Sequence, residues 1–309
     1  MNKISFLQLQ NEDSSLAERM AYIDFKLRFT GFINRSDLND MFGLAEAAAS
    51  KMMKKYTEIR PNNMEYNRSL RANAITIDTF EPLIIVDAET ALGMLANGFN
   101  KHKLIDKPML SYSRVGNIPN KLSVDSVSKI TRSISCGYAI HTNYHSTSSN
   151  KKEQRTLFPL AIVFDGKHWI FRAYNENDGR FKNFSFTNAL NVIEDSNLIR
   201  DSFKELAQDK EWNTQVPLLL IPHKNLTKQQ QQDIKLDFGI KDESKIILTE
   251  RAALLWILKN QWFIDDRTDS EILKDTELNK CKFYKFKLTN KDMVDVMTEN
   301  LQPTIDNIK

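Results

Sequence analysis

The stretch Arg155–Phe186, RTLFPLAIVFDGKHWIFRAYNENDGRFKNFSF, holds three short apolar runs, Leu157–Phe164, His168–Tyr174 and Phe181–Phe186. Asp165-Gly166 separates the first two, and the polar segment Asn175–Gly179 separates the last two. Aromatic-rich runs punctuated by Asp-Gly and Asn/Gly are the sequence signal of an antiparallel meander, so this stretch predicts a small β-barrel or curled sheet. Period two puts Trp169, Phe171 and Ala173 on one face of the second run, the expected core, and His168, Ile170, Arg172 and Tyr174 on the other. Arg172 then has two readings: an edge charge reaching water, or a side chain of a site.

Upstream, Leu16, Met20, Ile23 and Leu27 recur at helical steps. With Tyr22, Phe25 and Phe29 they predict a helix over 14–29 with a broad apolar face, capped by Ser14 or Ser15 and ended at Thr30-Gly31. Asn34 caps a second, short helix with Leu38, Met41 and Phe42 inward and Gly43 as a left-handed C-cap. A third helix over 45–58 buries Ala49, Met52, Met53 and Tyr56 and turns Glu46, Ala47, Ser50, Lys51 and Lys54 outward. Three helices with a Gly-containing turn before the last describe a helix-turn-helix.

Two short strands, 63–66 and 72–77, flank a turn holding Arg68 and Arg71 and read as a wing. Its arginines suit phosphate or the minor groove. The small Ala47 and Ser50 let the third helix sit deep in a major groove. The candidate DNA contacts are Arg35, Ser36, Glu46, Ala47, Ser50, Lys51, Lys54, Lys55, Arg68 and Arg71. A helical module that packs on a partner protein, with these cations as a solvated face, is the alternative.

The net charge of +3 on 309 residues does not argue for nucleic acid by itself; placement does. Six Lys/Arg stand against Glu58 and Glu65 between Lys51 and Asn73, and seven against Asp106 and Asp125 between Phe99 and Arg132. Both segments are local positive patches. Cys136 and Cys281 are far apart without metal-ligand spacing, which fits a reducing cytoplasm. No apolar run approaches the ~18 residues of a membrane span, so a cytoplasmic protein is expected.

Phe80-Glu81-Pro82 ends the first domain, and Ala88–Phe99 reads as a connecting helix with Leu92, Leu95 and Ala96 inward. The basic segment 100–121, with Pro108, Gly116 and Pro119, reads as an extended connector. A helix over 124–135 and a strand over 138–146 lead into the meander, through an exposed hairpin loop over 146–153; Thr187–Glu194 continues it as a further strand. Beyond it come a strand over 215–221, a Gln-rich helix over 228–238 ended by Gly239, a strand over 245–249 and a helix over 251–262. A strand over 282–288 and a last helix complete a small α+β domain. The expected class is therefore α+β multidomain: a winged helix-turn-helix at 1–80, a connector at 81–121, a central β domain at 122–197 and a C-terminal domain at 198–309.

These residues resemble a known family, the WYL-domain transcriptional regulators of the BrxR/CapW type that sit beside bacterial anti-phage systems. The resemblance rests on YIDFKLRFTGFINRSDLNDMFG, ASKMMKKY and NNMEYNRS in the first domain. In the middle it rests on Tyr144-His145-Ser146, Arg155–Pro159 and FDGKHWIFRAYNENDGRFKNFSF, and in the last third on EWNTQVPLLLIPHKNLTKQQQQDIKLDFGI and RAALLWIL. It implies a winged helix-turn-helix, an Sm-like five-stranded WYL barrel and a C-terminal dimerisation domain. It further implies a homodimeric repressor of inverted-repeat operators, with a WYL barrel that senses a nucleotide or single-stranded nucleic acid.

Carried over residue by residue, the implied ligand pocket is Tyr144, Ser146, Arg155 and Arg172. Two guanidinium groups near a tyrosine and a serine suit a phosphate. Three pocket positions depart from the family pattern: Ile170 follows Trp169 where relatives have Tyr or His, Leu160 follows Pro159 where His is common, and Asn188 replaces an Arg. A barrel kept for packing and subunit contact is the competing reading. Ala45 stands where relatives often have Ser, a natural N-cap.

An enzyme needs a clustered acid/base or nucleophile set. The five histidines are scattered, Asp165 and Lys167 fall in a predicted turn, and His223 reads as a turn residue before the Gln-rich helix. No catalysis, cofactor or metal site is expected. Two functions remain: a homodimeric, ligand-responsive transcriptional repressor, or an accessory single-strand-binding protein that modulates a defence effector through Arg155 and Arg172. The second leaves the helix-turn-helix without a task.

Overall fold

The computed structural model describes residues 4–104, 122–145, 152–239, 245–277, 283–299 and 301. Ser146, Cys281, Lys282 and most of the expected connector and hairpin loop lie outside these residues. The chain divides into two compact units, Met1–Asp201 and Ser202–Lys309.

The first unit opens with α1 (Phe6–Glu12), which the sequence did not announce, and α2 (Ser14–Thr30). The cap of α2 is Asp13, not Ser14 or Ser15: its carboxylate accepts from the backbone of Ser15 and Leu16. Gly31, at φ 85°, ends the helix as expected. β1 (Phe32–Ile33), α3 (Arg35–Phe42) and α4 (Glu46–Ile59) follow, then β2 (Met64–Asn67) and β3 (Ala72–Ile75). The strands form a sheet in the order β1-β3-β2. Met41 points outward at 37% exposure, against the inward expectation, because Leu38 and Phe42 already fill that side of so short a helix.

α5 (Ala88–Asn97) buries Ala91, Leu92 and Met94, while Ala96 is exposed. α6 (Val124–Cys136) precedes β4 (Tyr138–His145), β5 (Lys152–Phe164), β6 (Trp169–Asn175), β7 (Arg180–Ser185) and β8 (Ala189–Ile199). These five strands make one antiparallel sheet, in the order β7-β6-β5-β4-β8. Among the described residues no ladder joins β7 to β8. The Asp165-Gly166 turn forms as read, with Asp165 Oδ1 accepting from the backbone of Lys167 and His168. Lys152 and Glu153, expected in the loop, belong to β5.

α2 explains its own broad apolar face. Met20, Ile23 and Leu27 fill a core with Leu38, Ala49, Met53 and Tyr56 of the helix-turn-helix. Ala21, Phe25 and Phe29, on another face of the same helix, fill a core with α5, α6 and the five-stranded sheet. One helix therefore belongs to two cores, and burial on two sides is what requires apolar residues beyond a single stripe.

The second unit contains α7 (Lys210–Asn213), β9 (Gln215–Pro222), α8 (Lys228–Asp237), β10 (Ile246–Arg251), α9 (Leu255–Gln261), β11 (Ile264–Asp265), α10 (Asp269–Glu277), β12 (Phe286–Leu288) and α11 (Lys291–Glu299). Its sheet runs β10-β9-β12-β11, with β11 and β12 parallel. Val216, Leu218 and Leu220 of β9 are buried against Leu255 of α9 and Val294 of α11. β12 is shorter than the sequence suggested, and α7, β11 and α10 were not anticipated.

Candidate nucleic-acid interface and WYL site

α4 follows Ala45, which offers no side-chain cap, as its residue type dictates. Its buried residues are Ala49, Met53 and Tyr56. Glu46, Ala47, Lys51, Lys54 and Lys55 are exposed and Ser50 is half-buried, so the expected recognition surface faces solvent. Two of its charges are engaged: Arg35 pairs with Glu46 at 2.9 Å across the α3–α4 turn, and Lys55 pairs with Glu58 at 3.2 Å. Ser36 donates to the Asn34 cap at 2.6 Å. Lys51, Lys54, Arg68 and Arg71 form no ion pair among the described residues.

The wing tip is ordered locally. Asn67 Oδ1 accepts from the backbone of Ser69 at 2.9 Å and Leu70 at 3.1 Å, and Arg71 takes a left-handed φ of 50°. Arg68 and Arg71 are both exposed.

A buried polar network fixes α4 relative to the wing. Asp24, at 0% exposure on α2, accepts from Tyr56 Oη at 2.6 Å and from the backbone of Leu83 and Ile84 at 2.9 and 3.2 Å. Asn63, at the foot of the wing, donates to Tyr56 Oη at 2.8 Å and to the Glu81 carbonyl at 2.8 Å, and accepts from the Glu81 backbone at 2.9 Å. Burial pushes the Asp24 carboxyl up to about 6 against these hydrogen bonds, and burial beside Asp24 pushes the Tyr56 hydroxyl well above its ordinary range. The sequence carried no sign of this network, because its members lie far apart along the chain.

In the WYL segment, the Arg155 guanidinium lies 5.1 Å from the centroid of the Tyr144 ring and 5.8 Å from that of Phe184. Tyr144 is buried, and its hydroxyl accepts from the Ser185 backbone at 3.0 Å. Arg172 is 2% exposed and donates to Asn183 Oδ1 at 3.3 Å, so it is no edge charge. Strand alternation puts Arg155, Tyr144 and Phe184 on the face of Phe171 and Ala173, and Arg172 and Asn183 on the opposite face. Arg155 and Arg172 therefore do not converge on one pocket, although each lies where its strand parity required. Phe184 and Asn183 were missed; the alternation of Phe184 with Phe186 was the available signal.

A junction joins this sheet to α2. Arg132 of α6 forms two hydrogen bonds to the Glu194 carboxylate of β8, at 3.0 and 2.6 Å, and donates to the Arg28 carbonyl at 2.7 Å. Tyr138 Oη also donates to Glu194. Cys136 Sγ lies 3.4 Å from the Thr30 carbonyl, and a Cβ on Gly31 would stand 2.9 Å from that sulfur. Cys136 is exposed, and desolvation by the groups packed around its sulfur pushes the thiol up to about 11, so it stays protonated at neutral pH.

Among the described residues, no helix is long and apolar enough to cross a membrane, and no group of three or more His, Cys, Asp or Glu could hold a metal ion.

Comparison with known proteins agrees with this order of parts. Residues 15–97 match the BrxR transcriptional regulator winged helix-turn-helix domain, 125–188 the WYL domain and 215–278 the BrxR C-terminal dimerization domain. The chain is 32% identical over 245 residues to the DNA-binding transcriptional repressor CapW of Escherichia coli (strain KTE188), covering 78% of this chain and 80% of that one. The chain belongs to the BrxR/CapW family of WYL-domain transcriptional regulators. CapW of Pseudomonas aeruginosa is 30% identical over 256 residues, covering 81% of this chain and 84% of that one. CapW of Stenotrophomonas maltophilia is 26% identical over 250 residues, covering 78% and 81%.

Proposed function

We propose that this protein is a homodimeric transcriptional repressor of a phage-defence operon, which reads an inverted-repeat operator with two copies of α4 and its wing. The observation that carries this reading is the uncompensated charge on the helix-turn-helix and its wing: Lys51 and Lys54 on α4, and Arg68 and Arg71 on the wing, are exposed and have no ion-pair partner among the described residues. The small Ala47 beside them admits close approach to a groove. The relatives named CapW are DNA-binding transcriptional repressors, and the match over 215–278 is to a dimerisation domain. A gel shift with DNA from upstream of the protein's own operon tests the proposal. Folded protein that leaves this DNA unshifted in moderate salt refutes it.

The WYL segment carries the second part of the proposal, a nucleotide or single-stranded nucleic-acid ligand received at Arg155. A guanidinium already stacked on two aromatic rings has lost much of its rotamer freedom, so pairing with a phosphate costs less ordering. Arg155→Ala is expected to abolish any effect of added oligonucleotide on operator release while operator affinity stays within about twofold. An unchanged response in this variant removes Arg155 from the site.

A further inference from the structure

β10 is an edge strand. Its inner edge pairs with β9 over Ile246–Arg251, and among the described residues no strand pairs with its outer edge. The opposite edge of the same sheet, β11, is only two residues long. Natural proteins blunt or cover long edges, because a row of unpaired N–H and C=O groups templates pairing with another chain. β10 has no proline and is apolar through Ile246, Ile247 and Leu248. Its neighbourhood is apolar as well: Ile247 is 64% exposed and sits in register beside Leu219, on the sheet face opposite the core residues Val216, Leu218 and Leu220.

We infer that β10 is the seam of the homodimer, where it pairs antiparallel with β10 of a second copy about a two-fold axis and joins two four-stranded sheets into one of eight. This rests on the homodimer reading above and names the surface that makes it. A second copy is the occupant best matched to this edge for two reasons. A strand paired with itself antiparallel satisfies a two-fold axis without any further complementary surface. The edge also falls inside 215–278, the segment that matches a dimerisation domain.

The register follows from side-chain parity. A continuous sheet needs paired residues to share a face, which leaves Leu248 facing Leu248 or Ile247 facing Ile247. The first sets Ile246 against Glu250 and Lys245 against Arg251, an apolar group against an acid and two like charges. The second sets Ile246 against Leu248, Lys245 against Thr249 and the exposed Ile247 against its own copy. Cross-strand pairing favours the second.

The test uses the full chain with Cys136→Ser and Cys281→Ser, carrying Ile247→Cys or, on the bare sheet face, Ile221→Cys. Under mild copper-phenanthroline oxidation, Ile247→Cys is expected to give a covalent dimer and Ile221→Cys none. In parallel, Ile247→Asp, at an exposed position that leaves circular dichroism unchanged, is expected to raise the dimer dissociation constant about tenfold or more by light scattering, from reduced apolar burial and opposed charges. A wild-type chain that is monomeric at micromolar concentration overturns both this seam and the homodimer. A wild-type dimer that Ile247→Asp leaves intact, or that crosslinks through Ile221→Cys instead, overturns the seam and leaves the homodimer standing.

Discussion

Asp24 is a carboxyl without access to water that accepts three hydrogen bonds, from α4 and from the segment after the wing, the parts that must keep still if α4 is to meet DNA at a fixed angle. Its folded pKa of about 6 lies above the ordinary 3.8, so the stability it contributes is fully present below about 3.8 and is lost as pH rises through about 6. Asp24→Asn removes one acceptor oxygen and the titration together. It is expected to cost about 1–3 kcal/mol, and its deficit against wild type should be larger at pH 5 than at pH 7.5 in thermal melts. A deficit that shrinks at pH 5 would show that the ionised form is the one this site favours. His223 marks what a sequence conceals at this scale. It reads as a turn residue, yet it is fully buried, with Nε2 at 3.2 Å from Asp265 Oδ2 and Nδ1 accepting from the Asn225 backbone. Its partner is forty-two residues away, and no local pattern points to it.

At the scale of elements, α3, α4 and the wing were legible because their signals are local: Asn34 and Gly43 at the ends of α3, apolar spacing along α4, and arginines around a turn. β1, α1 and the Asp13 cap were not, since two strand residues carry no period and two adjacent serines compete with the aspartate before them. β6 and β7 were legible to within a residue, whereas β5 begins five residues before Leu157 and β8 runs five past Glu194, and the separation of Arg155 from Arg172 needed strand parity to be carried across the β5–β6 ladder with its register shift between Pro159 and Ala161. Ala45 offers a simple gain. Ala45→Ser supplies the missing cap oxygen and is expected to stabilise the first unit by about 1 kcal/mol, read as a higher melting temperature. Salt dependence identifies the side chains that meet phosphate. Lys54→Ala and Arg68→Ala should each weaken operator binding, and each variant that frees one phosphate should lower the slope of log affinity against log salt by about 1. A slope unchanged in Arg68→Ala would place the wing tip away from phosphate.

At the scale of the molecule, α2 couples the reader to the WYL sheet, since its two faces fill two different cores and its last turn is held by Arg132. Burial opposes the Arg132 charge, but the Glu194 carboxylate more than offsets it and holds the guanidinium above its ordinary range. Both side chains of the pair are largely shielded, at 6% and 11% exposure. Removing one member of such a pair strands the other charge, so Glu194→Ala is expected to destabilise the first unit by about 3 kcal/mol, while Arg132→Leu with Glu194→Leu should recover much of that stability. If the junction is what transmits position from β8 to α2, the double variant separates stability from coupling. It should fold and bind operator DNA with near wild-type affinity, yet its amide exchange in α2 should no longer change when an oligonucleotide is received at Arg155. A double variant whose α2 exchange still responds to the oligonucleotide would place the coupling in the shared apolar core of Phe25, Phe29, Val127 and Ile130, where packing alone must carry it.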